Sequence, residues 1–257
     1  MKNYGYLIVE GQHDIAFISR LLRPFGLKQV NKKSLLDPFW DVLIPKSFPV
    51  NDDLQKRVPV PAFFENETHS IAIHPAEGIT RLAETLNETL SLINRELLAG
   101  YGFFLDADNQ SPQEGFEALV NELRRYEVSV PASLKLGEVA NVKPLFGIFV
   151  LPDNQRQGTL EDILLETADI NYAHLSSAAK AYIESIDSDK FGKHDLDEFK
   201  KPAGQKKAHL SSIASILKPG KAIQNSIQDN RWLEGEAQNL PAVKSISTFL
   251  VHLFELK

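Results

Sequence analysis

Tyr101-Gly102-Phe103-Phe104-Leu105-Asp106-Ala107-Asp108-Asn109 is the stretch on which the fold turns. Five residues without charge run straight into two carboxylates spaced i, i+2. Such a run, bounded by Gly100 and by a polar break, reads as a strand buried on both faces of a parallel sheet. Alternate strand residues share a face, so the spacing predicts that Asp106 and Asp108 emerge together, roughly 6 to 7 Å apart. They would lie at the carboxyl end of the strand, where open α/β sheets place their ligands. Two like charges on one face call for a cation between them, and oxygen donors of this kind suit Mg²⁺ or Mn²⁺. The plainer alternative has Asp108 capping the next helix and Asp106 as an ordinary loop acid.

The residues on either side supply the rest of a βα pattern. Tyr4 to Val9 reads as a first buried strand ended by Glu10-Gly11. Ile15, Phe17, Ile18, Leu21 and Leu22 then recur at helical spacing until Pro24 and Gly26. Glu10 stands where strand passes to helix, and Asp14 falls in the first helical turn, which favours a carboxylate. Ile71 to Ile73 forms a short strand. A helix is expected from about Ile79 to Leu98, with Leu82, Leu86, Leu90, Ile93 and Leu97 as its apolar stripe. It leads into the acidic strand.

Pro112 to Tyr126 reads as a helix with Phe116, Leu119, Val120 and Leu123 inward, and Ser129 to Lys143 as a hairpin or extended excursion. Leu145 to Leu151 is another buried strand, after which Thr159 is placed to cap a helix carrying Glu161 and Asp162 in its first turn. The order strand, helix, strand is that of a parallel α/β sheet.

Prolines 38, 45, 49, 59 and 61 break up the stretch from Leu27 to His74, which reads as a strand pair with long connections. Asn51-Asp52-Asp53 and Glu65-Asn66-Glu67 are expected as exposed turns, and 37–75 as an insert or lid. Residues 173–257 read as a helical C-terminal extension ending in an amphipathic helix, Val243 to Leu256, that packs back on the core, and 1–257 as one domain.

Composition narrows the chemistry. The chain has 257 residues, 43% of them hydrophobic, and no cysteine, so disulfides, thiolate nucleophiles and Cys-based zinc sites are excluded. The entry into a strand by Tyr4 predicts no signal peptide. No apolar segment reaches the roughly 18 to 20 residues of a membrane helix, so a cytoplasmic protein without a membrane partner is expected. The net charge is −6, yet Lys190 to Lys221 holds eight lysines against three acids, a local charge of +5. That patch, with Lys200, Lys201, Lys206 and Lys207 at its centre, matches the footprint of a phosphate backbone, although a solvated helix face would have the same composition. Phosphate-binding loops of the G-x-x-x-x-G-K-[ST] type, G-x-G-x-x-G, H-E-x-x-H and G-x-S-x-G are all missing.

Glu10 with Asp14, Asp106 with Asp108, and Glu161 with Asp162 thus follow three strands of one sheet and are expected to gather at one edge. Such a cluster can hold one or two hard cations at an in-line phosphoryl displacement. A carboxylate left unliganded could move protons.

In these residues the chain resembles the Toprim domain of topoisomerases, bacterial primases, ribosomal-RNA maturases and nucleases of the OLD type. The marks are Val9-Glu10-Gly11 after the first strand and Asp106-Ala107-Asp108 after a later one. The OLD-type extension to ExxxD is matched by Glu10 and Asp14, its further acid by Glu161, and its later lysine by Lys207, with Lys206 and Lys201 interchangeable from sequence. Pro152-Asp153-Asn154 followed by Gly158 to Asp162 is similar to a stand-alone Toprim-like family of uncharacterised function. The resemblance implies a Toprim-like, Rossmann-like sheet and a Mg²⁺- or Mn²⁺-dependent nuclease acting on DNA or RNA. Its metal would be held by Glu10, Asp14, Asp106, Asp108 and Glu161, with Glu10 and Lys207 as catalytic groups. The ATPase domain of many OLD-type nucleases, a primase zinc module and a topoisomerase tyrosine are not recognisable. Two alternatives follow: a non-catalytic metal- or nucleotide-binding subunit of a separate ATPase, and nucleotidyl transfer.

Overall fold

A computed structural model describes residues 2–47, 59–201 and 203–257. Its elements are β1 (Asn3–Val9), α1 (Gln12–Leu22), β2 (Lys28–Gln29), β3 (Ala62–Glu65), β4 (His69–Pro75), α2 (Leu82–Leu92) and β5 (Leu98–Asp106). There follow α3 (Pro112–Arg125), β6 (Val139–Ala140), β7 (Leu145–Leu151), α4 (Leu160–Asn171), α5 (Ala173–Glu184), α6 (Gly204–Leu217), α7 (Ile223–Asp229) and α8 (Pro241–Phe254). The strands form one seven-stranded sheet in the order β2-β3-β4-β1-β5-β7-β6. The inner four, β4, β1, β5 and β7, are mutually parallel, while β2, β3 and β6 pair antiparallel at the margins.

The near-continuous apolar runs of β1, β5 and β7 follow from having both faces covered. Tyr6, Ile8, Phe103 and Leu105 point to the face packed by α2 and α3. Leu7, Val9, Phe104 and Phe149 point to the other, packed by α1, α4, α6 and α8. α8 comes unusually close. A Cβ on Gly100 would stand 1.9 Å from the Leu253 carbonyl oxygen, and one on Gly147 would stand 2.6 Å from the Phe249 ring. Glycine within these strands is what a close approach of another backbone demands.

The chain leaves β1 for β4 on one side and then crosses from β4 to β5 on the other. The strand order therefore reverses between β1 and β5, and the crevice beyond their carboxyl ends is the place for a ligand in an open α/β sheet.

Three expectations change. The long helix from Ile79 stops early: α2 ends at Leu92, Ile93 is extended, and the Asn94 side chain accepts from Glu96 N–H to start a separate 3₁₀ turn. Leu97 is thereby 41% exposed rather than on the stripe. The insert over 37–75 is in part core, because β4 is an inner strand beside β1 and Trp40 is fully buried. The closing helix expected over Val243 to Leu256 is α8, and it packs back on the core as expected, against the middle of the sheet. Asp108 caps nothing: α3 starts at Ser111, whose N–H donates to Glu114 while Glu114 N–H donates back to the Ser111 hydroxyl. The turn at Asn51-Asp52-Asp53 lies outside the described residues.

Candidate active site

Three connections meet at the crevice. Glu10 is the first residue past β1, Asp106 the last of β5, and Glu161 sits in the first turn of α4 behind β7. The Asp106 N–H donates to Glu10 Oε1 at 2.8 Å, so the β1 acid is fixed by the backbone of the β5 acid. The Leu160 N–H, at the start of α4, donates to Asp106 Oδ1 at 2.9 Å. Asp14, one turn into α1, turns back to accept from the Gly11 N–H at 2.8 Å. Asp14 and Glu161 are 8% and 6% exposed, which is expensive for carboxylates without a countercharge.

The electrostatics follow from that crowding. Burial first, and then the charges of Glu10 and Glu161, push Asp14 up to about 7 against the help of the Gly11 N–H. Asp106 is raised well above the usual carboxylate range, by burial and by Asp14, Glu10 and Glu161, with the Leu160 N–H opposing. Glu10 is raised by burial, opposed by the Asp106 N–H, with Asp108 and Glu161 adding to the rise and Lys207 countering it. Like charges crowded together out of water oppose one another's ionisation.

Asp108 departs from the i, i+2 expectation. The strand ends at Asp106, and Asp108 takes a left-handed φ of 51° in a two-way backbone bridge with Gly158, at 2.9 Å in each direction. Strand alternation has lapsed there, so Asp108 is exposed while Asp106 is largely enclosed, and Asp108 reaches the cluster through its charge on Glu10. Asp162 completes the α4 cap by accepting from the Thr159 N–H and also pairs with Lys206 at 2.7 Å. Asp153 is held by Arg156.

The lysines separate accordingly. Lys206 is committed to Asp162 and Lys201 to Glu198, while Lys190 and Lys218 pair with Asp187 and Asp229. Lys200 is exposed in the segment before α6. Lys207 is the lysine whose charge acts on Glu10. Half of the eight lysines of the basic patch are thus neutralised locally, which thins the proposed phosphate footprint.

His13 was not singled out by sequence, although it directly precedes Asp14. It is half-buried on the first turn of α1, held below its usual pKa by burial and by Lys207, against the pull of Glu161. Its spacing from Glu10, one helical turn, was the available signal.

The donor chemistry of the cluster, oxygen atoms of buried and mutually repelling carboxylates, fits Mg²⁺ or Mn²⁺. Among the described residues no three acidic or histidine side chains already stand in an arrangement that would hold a metal ion. No helix among them is long and apolar enough to cross a membrane.

The profile of the family described as "Protein of unknown function (DUF3226)" matches residues 4–255. None of the curated proteins compared with the chain matches it. A crystal structure of a hypothetical protein from Pyrococcus horikoshii OT3 is similar over 98% of this chain and 95% of its own, at a TM-score of 0.54 and 19% identity. That similarity is one of fold.

Proposed function

For a chain that belongs to the DUF3226 family, we propose metal-dependent phosphodiester hydrolysis on nucleic acid, the work of a Toprim-like nuclease. The observation that carries the reading is the Glu10–Asp106 contact at the reversal of strand order, with Asp14 and Glu161 buried beside it.

Glu10, Asp14, Asp106, Asp108 and Glu161 are the residues that would hold Mg²⁺ or Mn²⁺. Such a cation, when bound, supplies charge stabilisation at the oxygens of a phosphodiester. The protein's own part is distinct. The Asp106 N–H keeps one Glu10 oxygen in place and leaves the other to accept or return a proton. The raised pKa of Glu10 brings it nearer the range in which a general acid or base works at neutral pH. Lys207 would offset negative charge that accumulates on the phosphate. Lys200, which has no ion pair among the described residues while Lys201 and Lys206 do, is the better candidate for a backbone phosphate.

A second reading takes the same buried carboxylates as the metal site of a responsive subunit without turnover, partnered by a separate ATPase.

A panel of labelled single- and double-stranded DNA and RNA, incubated with Mg²⁺, Mn²⁺ or EDTA, decides between them. The nuclease reading expects cutting that EDTA stops and that Asp106→Ala loses. Full activity in Asp106→Ala would remove the cluster from the chemistry. Metal-dependent thermal stabilisation without any cutting would favour the subunit.

A further inference from the structure

Thr159 lies between two residues tied to the end of β5. On one side the Gly158 backbone exchanges hydrogen bonds with Asp108, at 2.9 Å in each direction. On the other the Leu160 N–H donates to Asp106 Oδ1 at 2.9 Å. Glu161, whose charge acts on Glu10, Asp14 and Asp106, stands two residues on. Thr159 is itself only 4% exposed. At the head of α4 its hydroxyl would be expected to cap the helix. The cap is made otherwise. The Asp162 N–H donates to the Thr159 carbonyl at 3.1 Å, and the Asp162 carboxylate accepts from the Thr159 N–H at 2.8 Å. The hydroxyl is left over: among the described residues, Thr159 Oγ1 is the one buried side-chain oxygen or nitrogen without a hydrogen-bond partner.

A hydroxyl kept from water without a partner is costly, and folded proteins retain few of them. This one stands in the turn that carries the acids of β5 and α4 toward each other, which points to a ligand there. Burial and mutual repulsion already raise Glu10, Asp14 and Asp106, so a further charged donor would add to the repulsion. A hydroxyl supplies an oxygen without a charge. Hard cations accept neutral oxygen beside carboxylate, as Mg²⁺ does from the Ser or Thr of phosphate-binding loops. We propose that Thr159 Oγ1 is a neutral oxygen ligand of the divalent cation held by the acid cluster. The inference rests on the metal-dependent reading of that cluster and adds to its donors a residue from the turn between β7 and α4.

The test measures Mn²⁺ binding by titration calorimetry, apart from any cleavage. Thr159→Val keeps the shape of the side chain and removes its hydroxyl, while Thr159→Ser keeps the hydroxyl. Thr159→Val should bind Mn²⁺ roughly 10- to 100-fold more weakly than the wild type, and Thr159→Ser should retain most of the affinity. Without metal, Thr159→Val should melt no lower than the wild type, because no hydrogen bond is lost. Should Thr159→Val not fold, Thr159→Ala against Thr159→Ser makes the same comparison, since the two differ only in the hydroxyl. Wild-type affinity in the hydroxyl-free chain, where Asp106→Asn has lost binding, overturns the role of Thr159 and leaves the carboxylate site standing. A lower metal-free melting temperature in Thr159→Val, restored in Thr159→Ser, would assign the hydroxyl to an internal hydrogen bond and overturns it too. No Mn²⁺ binding by the wild type overturns both the ligand and the metal reading.

Discussion

Glu10 and Asp106 are joined through the Asp106 main chain: its N–H donates to Glu10 Oε1 at 2.8 Å, across 96 residues of sequence. The contact spans the two strands between which the strand order reverses, and it aims one carboxylate through one of its two oxygens. Backbone donation of this kind survives changes to the Asp106 side chain. Removing the Asp106 carboxylate should therefore take away chemistry without displacing Glu10.

Glu10→Gln separates orientation from charge. The amide oxygen can still accept from the Asp106 N–H, so thermal stability should hold or rise slightly as a buried charge disappears. Cleavage should fall by roughly 10²- to 10⁴-fold, the usual worth of a general acid or base. Melting temperature and initial rate on the same preparation check both halves. Retained activity would move the proton-handling role away from Glu10.

The pH dependence of stability follows from Asp14. Its carboxyl titrates near 3.8 in the unfolded chain and near about 7 in the fold. Between those values the native state holds a proton that the unfolded state has released. The stability this group contributes is thus complete below about pH 4 and is lost as pH rises through 7. Asp14→Asn, which can still accept from the Gly11 N–H, should lose this slope. In metal-free urea titrations the variant should gain on the wild type between pH 4 and pH 8, on the order of a few kcal/mol. A difference that does not change with pH would place the Asp14 carboxyl in a more solvated setting.

Lys206 and Lys207 are neighbours with different work. Lys206→Ala removes the pair with Asp162 and should cost up to about 1 kcal/mol with little loss of rate, because the pair is partly exposed. Lys207→Ala should leave stability alone and slow cleavage by about 10²-fold. Steady-state rates and melting curves of the two variants, run in parallel, test the distinction. A slower Lys206→Ala enzyme beside a normal Lys207→Ala enzyme would reverse the roles.

Gly100→Ala tests the packing of α8. The added methyl would collide with the Leu253 carbonyl, a main-chain atom that can move only with the helix. Overpacking of this kind should cost about 3 kcal/mol or more. Chemical denaturation gives the number, and a loss under about 1 kcal/mol would mean that α8 sits less tightly than described.

The fold was legible where local pattern and tertiary role coincide. The runs Tyr4–Val9 and Leu145–Leu151 became β1 and β7 because strands covered on both faces need unbroken apolar sequence. Phe116, Leu119, Val120 and Leu123 became the buried side of α3 for the same kind of reason. Periodicity misled at α2, where leucines continued at helical spacing after Asn94 had already turned the chain. It found only the Ile71–Ile73 core of β4, whose full length, His69–Pro75, and place between β3 and β1 come from its neighbours. In the site, the residues following strands were readable as acids at an edge. The i, i+2 rule failed at Asp108 because it holds only while the backbone stays extended. The choice of Lys207 over Lys206 depends on a partner, Asp162, that lies 44 residues away.

The proposed chemistry depends first on whether the buried carboxylates take up a divalent cation. Titration of the protein with Mn²⁺ at pH 7.5, followed by the electron paramagnetic resonance signal of the free ion, measures this directly. The account predicts saturable binding of one or two ions to the wild-type chain and its loss in Asp106→Asn. Equal binding by the two proteins, or none by the wild type, would contradict it.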